Sequence, residues 1–392
     1  MTTQNSQKRD AGSYLSQLLG QMERIASCQP HVFDDLCGKE RAVVLYGAGG
    51  TGRKLARLMR DEYRNRLFFT DRREDLWGRN IDGIPVLSPA EAIKEHGAYA
   101  IFVITVFNRE PECAYFSIVT ALKEMGASQC VPWPLAAWKY ADRMLPRYFL
   151  GSANDILPFK KDIIRVFSAL TERRSQVIFL ELLEASLTAP FERLSEREAG
   201  PQYFIPEILQ RLPQQVSIVD CGAYDGDSLR DAMTYIGAER IREYHAFEPD
   251  VENFRRLKSF VADLPQDLRE RVTCYHAAVG REPGFVSLAL EGTESSFVSQ
   301  NAAVGIPCMT LDTVLMGMQC DYIKMDIEGY EKEALLGAAN YLRDRETILA
   351  ISAYHKPDDF FAIPLCIKGL CGGYGFFRKH YANLFDTVYY HF

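Results

Sequence analysis

Between Val216 and Glu248 the chain alternates apolar runs with turn-forming residues in an order that few folds accept. Val216-Ser217-Ile218-Val219 leads into Asp220-Cys221-Gly222-Ala223-Tyr224-Asp225-Gly226-Asp227-Ser228. Tyr244-His245-Ala246-Phe247 then leads into Glu248-Pro249-Asp250, with Glu248 28 residues after Asp220. The pattern predicts strand, glycine turn, helix, strand and a terminal acid. Glycines at such a turn let the backbone approach a ligand, and an acid ending the second strand can accept bonds from both hydroxyls of a ribose. The turn reads D-x-G-x-x-x-G rather than the G-x-G-x-x-G that cradles a dinucleotide pyrophosphate, which favours S-adenosylmethionine as the ligand and predicts a methyltransferase.

The chain has 392 residues, enough for two domains with ample cores. Hydrophobic content of 47% and charged content of 25% are those of an ordinary globular protein. A net charge of −7 gives no global field toward nucleic acid or anionic lipid. No apolar run reaches the roughly 18–20 residues of a membrane span, and the polar residues 1–10 do not read as a secretory signal. The ten cysteines are scattered without a C-x-x-C pair, so reduced thiols and a cytoplasmic location are expected, and a structural zinc site is not.

Four segments are expected. Residues 1–40 form a helical extension with Tyr14, Leu15, Leu18, Leu19, Met22 and Ile25 at helical spacing. Residues 41–133 form a small Rossmann-like α/β unit, with strands at Ala42–Tyr46, Leu67–Thr70 and Ile101–Val106 and helices at Arg53–Arg60 and Tyr115–Met125. Residues 134–213 form a helical connector, with apolar helical periods at Ile163–Leu170 and Val177–Leu187 among several prolines; a lid or a docking surface is its expected role. Residues 214–392 form a doubly wound sheet of seven strands closed by an antiparallel one. Its strands are expected at Val216–Asp220, Glu243–Glu248, Arg271–Ala278, Asp321–Asp326, Thr347–Ala353, Tyr374–His380 and Thr387–Phe392, with a hairpin at Phe285–Leu290 and Ser295–Ser299.

In such a sheet ligands lie over the carboxyl ends of the strands. Asp220, Glu248, Ala278 and Asp326 are expected to end strands on that edge, over Gly222, Tyr224 and Gly226. Ser228 is placed to cap the next helix or to bond the methionine carboxylate, and Pro249 breaks the strand where a binding loop begins. Asp326 and Glu328 are expected to hold the acceptor or the cofactor's amino group. Recruitment of a divalent ion by these carboxylates is the alternative, and no metal is expected. His355, just past the fifth strand, is the candidate general base, because an unperturbed imidazole titrates near pH 6.5. Arg378-Lys379-His380 reads as a solvated basic cluster, or else as a contact for an anionic acceptor.

These blocks, with Cys274-Tyr275-His276-Ala277-Ala278-Val279-Gly280, Met309-Thr310-Leu311-Asp312-Thr313-Val314-Leu315, Lys324-Met325-Asp326-Ile327-Glu328-Gly329-Tyr330-Glu331 and Ser352-Ala353-Tyr354-His355-Lys356-Pro357-Asp358-Asp359, closely resemble the FkbM family of methyltransferases. The resemblance covers roughly 179 residues. It implies a class I methyltransferase fold and O-methylation of a hydroxyl on a glycan, glycolipid or polyketide-type product.

The N-terminal unit carries a true G-x-G-x-x-G in Gly47, Gly49 and Gly52, with Asp71 ending the next strand. Together with Leu76-Trp77-Gly78-Arg79-Asn80-Ile81-Asp82-Gly83-Ile84-Pro85-Val86-Leu87, it is similar to the small N-terminal domains of bacterial sugar acyltransferases, which implies a nucleotide or nucleotide-sugar ligand. The unit reads as short for a full dinucleotide site. Two other functions stay open at this point: an NAD(P)-dependent sugar oxidoreductase using Gly47–Gly52, and a non-catalytic protein that keeps a methyltransferase fold. No Y-x-x-x-K pair follows the N-terminal strands, which weighs against the oxidoreductase.

Overall fold

A computed structural model describes residues 10–38, 40–106, 115–146, 150–191, 200–290, 296–299, 305–343, 345–373, 375–379 and 386–392. The described residues fall into two compact units. One comprises 10–160 and 179–191, the other 161–178, 200–379 and 386–392. The boundary falls within the helix Arg173–Thr188.

The first unit is built on six strands, β1 (Val43–Tyr46), β2 (Leu67–Thr70), β3 (Asn80–Ile81), β4 (Ile84–Leu87), β5 (Ile101–Ile104) and β6 (Gln129–Pro132), in the order β3-β4-β2-β1-β5-β6. All pairs are parallel except β3 with β4. Every residue of β1 and β5 is buried, as strands covered on both faces require. The sheet is larger than the sequence suggested, because β4 and β6 carry weak signals. Pro85 interrupts β4 and is exposed opposite Asn80, while β6 has two half-buried polar-end residues and stops at Pro132. The helix Ala11–Cys28 turns Leu15, Leu18, Leu19 and Met22 inward, and Asp10 caps it by accepting the Ser13 amide at 3.1 Å.

The second unit holds β7 (Val216–Cys221), β8 (Ile241–Phe247), β9 (Val272–Tyr275), β14 (Tyr322–Met325), β15 (Ile348–Ser352), β16 (Gly375–Lys379) and β17 (Thr387–His391), ordered β16-β17-β15-β14-β7-β8-β9. Only β17 runs against its neighbours. This is the class I methyltransferase arrangement expected from the sequence. Strand order reverses between β7 and β14, so their carboxyl ends frame the switch point of the sheet. The core beneath includes Ile218, Leu229, Tyr244, Leu257, Tyr322 and Tyr390.

Two expectations need correction. The strand expected at Arg271–Ala278 is broken. β9 pairs with β8 only as far as Phe247 opposite Tyr275, since Pro249 follows Glu248 on the neighbouring strand and has no N–H to continue the ladder. Ala278 instead begins β10 (Ala278–Val279) in a separate four-stranded sheet with β11 (Gly284–Leu290), β12 (Ser296–Ser299) and β13 (Ile306–Met309), where β11 and β12 form the expected hairpin; its expected first residue, Ser295, lies outside the described residues. Arg378 is not solvated. It is 3% exposed and binds both oxygens of Glu172 at 2.7 and 2.8 Å and Glu207 at 2.9 Å, so it ties the bend before the helix Arg173–Thr188 to the helix Pro206–Leu209. His380 lies outside the described residues, as does the side chain of Lys379.

Candidate active site

The turn after β7 is shaped by its glycines. Gly222 has φ +83, and a Cβ there would lie 1.9 Å from the Asp326 carbonyl oxygen, so only glycine lets the turn pass this close to the end of β14. Gly226, at φ +94, starts the helix Asp227–Ala232, and a Cβ on it would meet the Phe260 ring at 2.5 Å. Gly222 and Ala223 donate their amides to the Phe247 carbonyl at 3.0 and 2.9 Å. The turn is therefore fastened to the end of β8.

Glu248 completes that fastening. Its Oε2 accepts the Tyr224 amide at 2.9 Å and its Oε1 accepts the Asp250 amide at 2.8 Å. Burial pushes its carboxyl up to about 7, against the pull of these two amides. Tyr224, at φ +47, is half exposed above the turn, while the Pro249 carbonyl accepts from His276 Nε2 at 3.1 Å.

Beneath the turn lies a buried ion pair. Asp220 is fully buried. Its Oδ2 accepts the Tyr244 hydroxyl at 2.7 Å and its Oδ1 lies 3.0 Å from Lys324 Nζ. Lys324 also donates to the Gly222 carbonyl at 2.6 Å. Burial would strip the ammonium of its proton, but Asp220, Asp326 and Asp227 hold it charged, well above the ordinary range. Asp220 has no exposed surface and supports the turn from below through Lys324.

At the end of β14, Asp326 Oδ2 accepts the Tyr203 hydroxyl at 2.8 Å, and Oδ1 lies 3.2 Å from His355 Nε2. Burial alone would raise its carboxyl, but His355, Lys324 and Tyr203 hold it well below the usual range. His355 is enclosed, with Nδ1 2.8 Å from Glu331 Oε1 and Nε2 3.9 Å from Glu328 Oε2. Burial opposes its charge, yet Glu331, Asp326 and Glu328 outweigh burial and raise the imidazole well above its usual value. Those surroundings work against the base role expected for His355, since a charged ring has no lone pair to accept a proton.

Residues 220–385 match the family model described as Methyltransferase FkbM domain. This region of the chain belongs to the FkbM methyltransferase family. The crystal structure of an FkbM methyltransferase from Methylobacillus flagellatus KT shares the fold, with a TM-score of 0.74 at 19% identity over 98% of this chain and 100% of that one. A putative rRNA methylase from Clostridium thermocellum overlaps 47% of this chain and 89% of its own, at 10% identity and a TM-score of 0.31, too low to carry weight. No curated protein matches.

Within the FkbM region the structure gathers Gly222, Tyr224, Gly226, Glu248, Asp326, Glu328 and His355 at the carboxyl ends of β7, β8, β14 and β15. Ser228 is buried beside Asp227, its amide 2.6 Å from Asp227 Oδ1. Ala278 lies in the side sheet. Three residues of the site escaped the sequence reading. Tyr203 comes from the expected connector, where one tyrosine among apolar residues signals nothing. Asp227 sits near Lys324, and desolvation raises its carboxyl, but its place after Gly226 reads as a helix start. Glu331 opens the helix Glu331–Leu336, where an acid ordinarily complements the dipole; here it is fully buried, and its Oε1 accepts the Ile327 amide at 2.9 Å.

In the first unit, Asp71 Oδ2 accepts the Ala48 amide at 2.8 Å, and its Oδ1 accepts the Arg73 amide at 3.0 Å. A Cβ at Gly52 would lie 2.0 Å from the Gly47 carbonyl oxygen, so the helix Gly50–Met59 can lie this close to β1 only with glycine there. Gly49 has open space around it.

Proposed function

We propose that this chain is an S-adenosylmethionine-dependent O-methyltransferase acting on a hydroxyl of a sugar, glycan or related natural product. The observation that supports it most directly is Glu248. It ends β8, is fastened to the glycine turn of β7, and keeps acceptor capacity on both oxygens beyond the two amides it already receives. The donor set fits the cofactor: a turn stripped of side chains at Gly222, a carboxylate for ribose hydroxyls, and an exposed aromatic ring at Tyr224. S-Adenosylmethionine supplies a methyl group on a sulfonium, already activated toward attack by an oxygen.

The protein's own part is then positioning and control of one proton. Lys324 holds the Gly222 carbonyl and so sets the turn. Tyr203 aligns Asp326. Asp326 and Glu328 orient the acceptor or the cofactor's amino group, and His355, gripped by Glu331, fixes their carboxylates in place. Titration of the protein with S-adenosylmethionine, paired with Glu248→Ala, tests this reading. Binding in the parent and its loss in the variant supports it; a parent protein that ignores the cofactor defeats it. With a methylated acceptor in hand, His355→Ala is expected to abolish turnover while cofactor binding persists.

The first unit supports a second, separate reading, a nucleotide or nucleotide-sugar site at Gly47, Gly49, Gly52 and Asp71. What favours it is the clamp of Asp71 on the Ala48 amide, the same wiring that Glu248 makes in the methyltransferase unit. Titration with a nucleotide-sugar and with NADH, each against Gly49→Val, separates nucleotide-sugar recognition from nicotinamide binding. Silence from both ligands leaves this unit a packing or recognition element.

A further inference from the structure

The two ring nitrogens of His355 face unequal company. Nδ1 lies 2.8 Å from Glu331 Oε1, and the Glu331 side chain has no exposed surface. That contact sets the ring's orientation, as a carboxylate behind a histidine ligand does. Nε2 points the other way, toward Asp326 Oδ1 at 3.2 Å and Glu328 Oε2 at 3.9 Å. Although the His355 side chain is only 3% exposed, Nε2 has no hydrogen bond among the described residues. A buried ring nitrogen left without a bond is costly, and here it faces two carboxylates.

A cation between these groups resolves the arrangement. Metal–ligand bonds of roughly 2.0–2.2 Å place neighbouring ligands roughly 3 Å apart, close to the spacing of Nε2 and Asp326 Oδ1. Asp326, Glu331 and His355 each offer a ligand atom within 4.8 Å of the others. Tyr203 anchors the second oxygen of Asp326, and Oδ1, which also accepts the Tyr354 hydroxyl at 3.5 Å, faces the ring. Glu328 is 40% exposed along its side chain, so one side of the cluster is open to water or a substrate oxygen.

We propose that His355 Nε2, Asp326 and Glu328 form a divalent-cation site, in which the cation displaces the Nε2 proton of the ring, with Glu331 as the residue that orients the histidine. One imidazole with two carboxylates is a donor set suited to Mn2+ or Mg2+ rather than to a thiolate-seeking metal. The site extends the methyl-transfer reading and rests on it for its purpose: an acceptor hydroxyl entering the open side of the ion would release its proton more readily, without a free base at His355. The cation site itself stands or falls on metal binding.

The test is titration of the full-length protein with Mn2+, followed by the loss of the free-ion electron paramagnetic resonance signal, with S-adenosylmethionine binding measured on the same samples. One bound ion per chain is expected, weakened at least about tenfold in His355→Ala and Asp326→Asn, and roughly 10–100-fold in Glu331→Gln. Glu328→Gln changes an exposed side chain and is expected to weaken the ion while leaving the melting temperature alone, so a folding defect cannot imitate the result. No bound Mn2+, or binding indifferent to both Glu328→Gln and His355→Ala, overturns the cation site. Cofactor binding without the metal defeats the cation site alone, whereas metal binding without the cofactor defeats the methyl-donor reading alone.

Discussion

The Tyr224 amide donates to Glu248 Oε2 at 2.9 Å, so the acid at the end of the second strand of the methyltransferase unit holds the glycine turn of the first. The other oxygen of Glu248 takes the amide two residues on, at Asp250. Asp71 repeats both bonds in the N-terminal unit, to Ala48 and to Arg73. In both places one carboxylate fastens the turn by accepting two backbone amides. On the proposed cofactor reading, ligand recognition and loop geometry depend on the same side chain.

This double duty gives Glu248 opposite pH effects on stability and on binding. Its carboxyl is raised to about 7 by burial, above the ordinary 4.5. The folded state therefore keeps the proton that the unfolded chain gives up between those values. Its contribution to stability is full below pH 4.5 and is lost as pH rises through about 7, on the order of 3 kcal/mol. Urea unfolding of the parent and Glu248→Gln across this window should show the parent's relative stability falling with pH. S-Adenosylmethionine affinity should move the other way, rising as the carboxylate ionises and becomes a better acceptor.

Glycines in the two turns should differ sharply in tolerance. Gly222→Ala places a methyl 1.9 Å from a backbone oxygen at φ +83, and Gly52→Ala places one 2.0 Å from another. Each is expected to cost about 3 kcal/mol or more, or to prevent folding. Gly49→Ala meets open space and should change stability by less than about 1 kcal/mol. Thermal unfolding of the three variants is the check, and a Gly222→Ala protein as stable as the parent would contradict the close approach.

Lys324→Met should leave Asp220 buried and short of its counter-ion. The expected loss is about 3–5 kcal/mol in denaturant unfolding, since breaking a buried pair from one side is the costly case. Adding Asp220→Asn to Lys324→Met should recover part of it. A double variant worse than the single one would show that the pair is not coupled.

Arg378→Leu is expected to destabilise the second unit by about 2–4 kcal/mol, because Glu172 and Glu207 lose a shared partner. S-Adenosylmethionine affinity of the folded fraction should be unchanged. A selective loss of acceptor binding with stability intact would return Arg378 to the role of an acceptor contact.

Much of this protein is written locally. The apolar run and turn at 216–226, the acid 28 residues on at Glu248, and the K-x-D-x-E-G block at 324–329 each lie within one element or its end, and strand, turn and helix are decided there by side-chain periodicity and by glycine's conformational freedom. Those stretches carry the class I arrangement and the FkbM family. Short strands with a proline, such as Ile84–Leu87, were not legible, because their pairing comes from neighbours rather than from their own pattern. Nor was the pairing of Arg378 with Glu172 and Glu207, or of Asp220 with Lys324, since charges far apart in the chain look solvated until folding brings them together. The environment of His355 is the clearest case. Its identity and place after β15 come from sequence, but whether it is a free base or a caged ring depends on Glu331, Asp326 and Glu328 converging from another strand end. Only tertiary structure decided that, because burial and the distances between charges, not residue type, set where a proton or a cation resides.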